Sequence, residues 1–200
     1  MNKRTGILRI LMSACCCMLA AGLVLALSGC GKSNDEELIR TSVTEVMEVF
    51  KNPTEENLKQ FVENSDIDTS ELDAYDIDLY EFLGHCFKHF SYEVGEVKVD
   101  GDHATVDVTV TNANVSKAME NATNTVMGNV DQYADMLAAE DGQKQFMKVF
   151  FDEIYAELDG SDELVTSDEK LTLTKTDGEW EVDKSSLDSV VSAMYGGLSF

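Results

Sequence analysis

The chain has 200 residues, 44% of them apolar, and sets 38 acids against 15 bases for a formal net charge of −23 at pH 7. Such a carboxylate excess excludes binding to the phosphate backbone of nucleic acid, which calls for the opposite sign, and disfavours lying flat on anionic lipid. The length and apolar fraction fit one domain with a proper core rather than two, and a single proline leaves no room for a proline-rich linker.

The chain opens with Lys3, Arg4 and Arg9, the only bases before residue 30, followed by an uncharged, mostly apolar run from Ile10 to Leu27. The run ends in Leu27-Ser28-Gly29-Cys30. A permanent membrane span is the competing reading, because about 18 apolar residues can just cross a bilayer. A stop-transfer helix, however, would continue to flanking charges, whereas this run ends in small residues and a cysteine. The pattern Leu, small, Gly, Cys resembles the lipobox of bacterial lipoproteins. The resemblance implies a diacylglyceryl group on the Cys30 thiol and cleavage just before it. It divides the chain into a signal peptide (1–29), a lipidated cysteine with a short tether (30–36) and a single α+β domain (37–200). It also implies a partner, the lipid bilayer, and a location on the outer face of the plasma membrane. Two acyl chains hold stably where one holds marginally, since each buried methylene contributes about 0.8 kcal/mol. Removing three bases and no acids makes the mature chain more acidic still. Cys15, Cys16 and Cys17 leave with the leader, so Cys86 is the one thiol besides Cys30, no intramolecular disulfide is expected, and Cys86 reads as a small core residue.

Gly31 to Asp35 reads as a polar tether. From Glu36, Ile39, Val43, Val46, Met47 and Phe50 recur with helical period. Asn52 as N-cap, Pro53 at the first helical position and Glu55 three residues after the cap predict a second helix carrying Leu58, Phe61 and Val62 inward. In the acidic loop 64–70, Asp66, Asp68 and Ser70 imitate the start of a calcium loop, but Glu71 stands where that loop needs glycine. Leu72, Tyr75, Leu79, Phe82, Leu83, Cys86 and Phe90 predict one long helix of about five turns. The period then changes to two. Tyr92 and Val94 alternate in one phase, Val97 and Val99 in the other, so a bulge is expected at Gly95. Asp100-Gly101 signals a hairpin turn into a strand alternating Ala104, Val106, Val108 and Val110 with polar residues. A helix follows from Val115 to Leu137, broken at Asp141-Gly142, and then a helix over 143–158 that is apolar around a wide arc. Leu171 and Leu173, the turn Asp177-Gly178, and Trp180 and Val182 form a second hairpin in which Leu173 falls opposite Val182. Leu187, Val190, Val191, Met194 and Tyr195 form an apolar tail that ends at Gly196-Gly197.

This order predicts an α+β fold, with an antiparallel sheet of two hairpins packed against N-terminal helices and a helical insertion between the hairpins. The stretch Ser91–Thr111 with its Gly95, Val97, Asp100-Gly101 and Ala104-Thr105-Val106 resembles the first hairpin of uncharacterised Gram-positive lipoproteins that carry a cystatin-like or nuclear-transport-factor-2-like roll. Asp177-Gly178-Glu179-Trp180 and the closing Met194-Tyr195-Gly196-Gly197-Leu198 resemble them too. The resemblance implies a cystatin-like roll and brings no catalytic residues.

No Gly-x-Ser-x-Gly, phosphate loop or His-Glu-x-x-His occurs. Glu81, His85 and His89, spaced by four, would share a helix face and could chelate a transition metal with Asp78 and Cys86 near. The other reading is a polar border beside the apolar stripe, and no cofactor is expected. In the wide arc, Phe146, Phe150 and Ile154 would face the concave side of the sheet and line a pocket for an apolar small molecule or a partner protein's hydrophobic segment. The alternative is that they are only core. The expected function is a membrane-anchored, non-enzymatic ligand- or protein-binding module. The rival class is a small open-cone enzyme, of isomerase or dehydratase type, using an Asp or His in an apolar cavity. The anchor is tested by Cys30→Ser: palmitate labelling of the protein should vanish and the unprocessed precursor accumulate, and persistent labelling, or a mature N-terminus mapped elsewhere, would refute it.

Overall fold

The computed structural model describes residues 25–26, 32–63 and 69–198. The lipobox Leu27-Ser28-Gly29-Cys30, the calcium-like Asp66 and Asp68, and the side chain of Phe61 lie outside the described residues. In chain order the elements are β1 (Leu25–Ala26), α1 (Lys32–Lys51), α2 (Glu55–Glu63), α3 (Ser70–Asp73), α4 (Leu79–Cys86), β2 (Ser91–Asp100), β3 (His103–Ala113) and α5 (Val115–Gly128). A 3-10 turn at Val130–Tyr133 leads to α6 (Ala134–Leu137), α7 (Gly142–Asp159), β4 (Leu164–Thr176), β5 (Glu179–Val182) and α8 (Lys184–Met194). The fold is α+β. Among the described residues the strands form one antiparallel sheet in the order β1-β5-β4-β3-β2.

Helix α1 begins earlier than expected, so the tether is helical from Lys32. Its buried Asp35 pairs with Lys175 Nζ at 2.9 Å, and that ammonium lies 5.2 Å from the centroid of the buried Trp180 ring. The start of the domain is thereby tied to the second hairpin. Further along, Arg40 Nη1 donates to Val94 O (2.9 Å) and the Tyr92 hydroxyl donates to Glu48 Oε1 (2.7 Å), which lays α1 across β2. The apolar stripe Ile39, Val43, Val46, Met47 and Phe50 is fully in the core.

Two local expectations are corrected. The N-cap of α2 is Thr54 rather than Asn52: Thr54 Oγ1 accepts from Asn57 N (3.3 Å), while Asn52 accepts from Asn57 Nδ2 (2.8 Å) and donates back to Glu48. Pro53 therefore precedes the helix. The long helix predicted after Ser70 is two short ones. Asp76 adopts a left-handed φ of 53°, and Asp78 restarts the chain as an N-cap, its Oδ1 accepting from Tyr80 N (2.7 Å) and Glu81 N (3.2 Å). A short polar side chain tolerates that conformation and competes with helix hydrogen bonds, which overrides the apolar period on either side.

The bulge falls where it was expected. Val94 pairs with Val108 and Val97 with Val106, so Gly95 and Glu96 oppose Asp107 alone. The turn lies one residue later than Asp100-Gly101, because Asp100 pairs with His103 and Gly101 takes φ +63°. Leu173 does lie opposite Val182, and Asp177 and Gly178 both carry the positive φ of a tight hairpin. The two hairpins merge through the longest ladder of the sheet, from His103 with Thr174 to Ala113 with Leu164. Val106, Val108, Val110, Leu171, Leu173 and Trp180 face α1 and α8 as core, and the opposite face is a solvated ladder including Thr109 with Asp168 and Thr111 with Thr166.

Phe87 sits at the centre of the helical side of this core. Absent from the predicted stripe because it is the C-cap of α4, it packs on Phe50, Tyr195 and Phe90 with ring centroids 5.0, 5.3 and 5.7 Å away. The helix predicted from Val115 to Leu137 breaks at Gly128-Asn129, and α7 packs on α5, α6 and α4 rather than under the sheet, whose core face α1 and α8 already cover.

One buried amide joins these parts. Asn112 is wholly buried; its Nδ2 donates to Cys86 O (2.9 Å) and Met194 O (2.6 Å), and its Oδ1 accepts from Ala113 N (2.8 Å). Next to it, Val115 N donates to Tyr195 O, and Gly196, at φ +67°, passes so close to the Ala113 carbonyl that no Cβ would fit. Asn112→Ala strands three buried polar groups at a cost of about 3 kcal/mol or more. Thermal unfolding should register that as a fall in Tm of roughly 10 °C for a chain of this size. A fall of only about a degree would show that the amide is dispensable.

Candidate functional site

Helix α4 projects Glu81 from its first turn and His85 from its last, above the Asp78 cap. The helix ends at Cys86, so His89 is not one turn further along the same face as its spacing suggested; it lies in the turn that leads into β2. What draws the two imidazoles together is Asp159, the last residue of α7. His85 Nδ1 stands 2.7 Å from Asp159 Oδ1, Lys88 Nζ 2.7 Å from Asp159 Oδ2, and His89 Nε2 3.2 Å from the Asp159 carbonyl oxygen. The His85 ring also stacks on Tyr155, with centroids 4.1 Å apart and planes 10° from parallel. Three nitrogen donors at the C-terminus of α7 complement its exposed carbonyls and the negative end of its dipole.

Beside this cluster opens a groove of about 540 Å³, walled by Pro53 and Glu55 from the α1–α2 connection, by Asp78, Tyr80, Glu81, Gly84 and His85 of the α4 region, and by Lys88 and Asp159. His85 and Asp159 are each about one-third exposed to it, with side-chain accessibilities of 27% and 32%. Burial pushes the Asp159 carboxyl up, but hydrogen bonds from His85 and Lys88 outweigh it and hold the group below its ordinary value. Burial foremost, and then the Glu81 carboxylate, push the Tyr155 phenol up. An ionised Asp159 can only accept, so Nδ1 of His85 carries a proton. That is the arrangement of an oriented base; it is also that of a helix-end clamp.

The predicted site residues separate. Glu81 and His85 share the groove, while His89 turns to the Asp159 carbonyl. Among the described residues no group of three or more His, Cys, Asp or Glu side chains is placed to hold a metal ion. The groove beside His85 is not lined by Phe146, Phe150 or Ile154. Ile154 is core together with Phe151 and Leu158, Phe150 is half-buried, and Phe146 packs edge-on against Tyr133 at 5.7 Å. The apolar arc of α7 is wide because the helix meets α4 and α5 on one side and the 130–137 segment on another. A second, smaller groove of about 190 Å³ lies between α5 and the α7–β4 connection, lined by Asn114, Asn121 and Glu157 among others.

Asp159 was missed in the sequence, as it lies 74 residues from His85. The signal that could have found it is the crowding of three bases, His85, Lys88 and His89, in so acidic a chain, which calls for a carboxylate partner. Glu169 was missed as well. Paired opposite Val108, it shares the core phase of β4, and burial, with some help from Asp168, raises its pKa. Its protonated form is the one the fold favours, so its contribution to stability is present below the ordinary value of 4.5 and is lost as pH rises through the raised one. No protein-family model, curated protein or solved structure matches the chain.

The clamp predicts a pH signature. Asp159 has a lowered pKa, so its contribution is present above the unfolded value of 3.8 and is lost as pH falls below it. Asp159→Asn should cost about 1 kcal/mol near neutrality, a partly exposed pair being screened, and lower Tm by roughly 2–4 °C. The gap to the parent protein should close as melts are run below pH 3.8. A gap independent of pH would show that the ion pairs do not hold the α7 terminus.

Proposed function

We propose that the protein is a membrane-anchored extracytoplasmic lipoprotein acting as a non-enzymatic binding module, and that its ligand enters the groove beside His85 and Asp159 through a cationic group. The observation that carries this reading is the charge of that groove. Lys88 matches Asp159, and Asp78 is turned to the α4 N-terminus, which leaves Glu55 and Glu81 as carboxylates on the groove wall that no base matches among the described residues. The close cover of the sheet's core face supports surface binding. The residues of the sheet's core face are packed by α1 and α8, with Val106, Val110 and Leu171 at 0% exposure.

The anchor belongs to the same proposal. In the sequence α1 starts two residues after Cys30, and Asp35 in its first turn is bound to Lys175, so lipidation of Cys30 would hold the domain directly against the headgroups rather than on a tether. Among the described residues no helix is long and apolar enough to cross a membrane. The same reading takes in a cystatin-like relationship, supported by two hairpins in one antiparallel sheet with α1 across β2.

The open-cone enzyme is the second reading, and the 2.7 Å pair of His85 with Asp159 is the observation in its favour. One experiment separates the two. In the full-length protein in phosphatidylcholine nanodiscs, NMR titration with spermidine and with arginine should move the signals of Gly84 and His85 saturably, and Glu55→Gln with Glu81→Gln should weaken that response roughly fivefold with Tm unchanged, as expected of screened surface charges. Signals that stay still with both probes overturn the groove as a cation site. Turnover of a carbonyl substrate by the same sample, lost in His85→Gln, would establish the enzyme instead.

A further inference from the structure

A second surface, at the other end of α7, stands independently of the groove and its ligand. Among the described residues the exposed large hydrophobic side chains are Met127 (36%), Val130 (40%), Leu137 (42%) and Leu164 (48%), and three of the four lie in the eleven residues from 127 to 137 at the tip of the helical insertion. Half-buried Tyr133, Met136, Phe146 and Met147 adjoin them, with Tyr133 fixed edge-on to Phe146. The tip is held by its close turn onto α7, where the Gly142 position has no space for a Cβ beside the Met136 and Leu137 backbone. It is therefore a shaped surface.

Its charge is one-sided. From residue 118 to residue 143 the chain has no Lys, Arg or His, and Glu120, Asp131, Asp135, Glu140 and Asp141 are all exposed. The next bases along, Lys144 and Lys148, are turned to Asp76 at 2.5 and 3.7 Å. Apolar side chains that meet water inside a purely negative rim fit a partner that is apolar and positive together. Methionine suits such contact, because its unbranched, polarisable side chain adapts to different shapes, and Met127 and Met136 both lie in the tip. An anionic bilayer surface is disfavoured by the same rim. We infer that the 127–141 tip is a docking surface for a cationic amphipathic helix of a partner protein, with Met127, Val130 and Leu137 taking its apolar face and the surrounding carboxylates its lysines or arginines.

The test uses the full-length protein in phosphatidylcholine nanodiscs with methyl-labelled methionine. The probe is an amphipathic leucine–lysine peptide of about 14 residues, four helical turns. A scrambled leucine–lysine peptide of equal charge and a leucine–glutamate peptide are the controls. The Met127 and Met136 methyl signals should shift saturably with the amphipathic peptide alone and lose affinity as salt rises. Val130→Asp with Leu137→Glu, both exposed positions, should weaken binding roughly tenfold or more with Tm preserved, as expected when apolar anchors are removed. Equal shifts with the scrambled peptide would reduce the surface to nonspecific charge attraction and overturn the inference. So would silent methyl signals, and so would shifts produced by phosphatidylglycerol vesicles rather than by the peptide. Gly84 and His85 should not move with the amphipathic peptide, so this result and that of the groove are read separately.

Discussion

The fold turns on a single buried amide. An asparagine side chain in an apolar interior is tolerated only if its hydrogen-bonding groups are met, and Asn112 meets them with the neighbouring Ala113 N–H and two carbonyls from distant parts of the chain. Its partners lie 26 residues before it, at the end of α4, and 82 residues after it, at the end of α8. Their register is set together: where β3 stops, where α4 ends and where the C-terminal helix closes are one decision. Gly196 reinforces it, because only a residue without Cβ can pass the Ala113 carbonyl at φ +67°.

From this junction the insertion departs and to it the insertion returns. Asn114 caps α5 by accepting from Lys117 N, α5 runs out to the 127–141 tip, and α7 runs back until Asp159 reaches the three bases behind α4. The groove wall and the exposed tip are thus opposite ends of the same helical excursion. Helix α7 is apolar around a wide arc because it serves both ends: Phe151, Ile154 and Leu158 enter the common core, Tyr155 carries the His85 ring, and Phe146 supports Tyr133. A hydrophobic arc broader than one stripe goes with several packing partners.

The scarcity of bases makes their positions informative. Lys175 joins the start of α1 to the second hairpin, Lys88 joins the turn after α4 to α7, Lys170 pairs with Asp107 across the sheet, and Lys117 pairs with Glu163 across the ends of the insertion. Each ties segments far apart in sequence. Exposed pairs of this kind stabilise little, yet they decide which carboxylates are neutralised. Among the exposed carboxylates that no described base neutralises are Glu55 and Glu81 at the groove and the acidic rim of the tip.

Much of the local structure is legible in the amino-acid sequence. Period-two alternation, the Asp177-Gly178 turn and the glycine bulge come from contacts a few residues long, and each is placed to within a residue because local sterics and pleat parity leave few alternatives. The apolar stripe of α1 and the α+β order are legible for the same reason. Tertiary structure alone decided what local pattern could not encode. Asp76 and Asp78 split a stripe that reads as one helix, Phe87 at a helix end became the centre of the core, and Asn112, near the end of β3, became its clasp. Asp159 met His85 across 74 residues because the insertion folds back, and no short-range signal records such a return. Sequence determines what each segment prefers to be; which distant backbone groups must be satisfied together, and which charges then remain for a partner, is settled only when the segments pack.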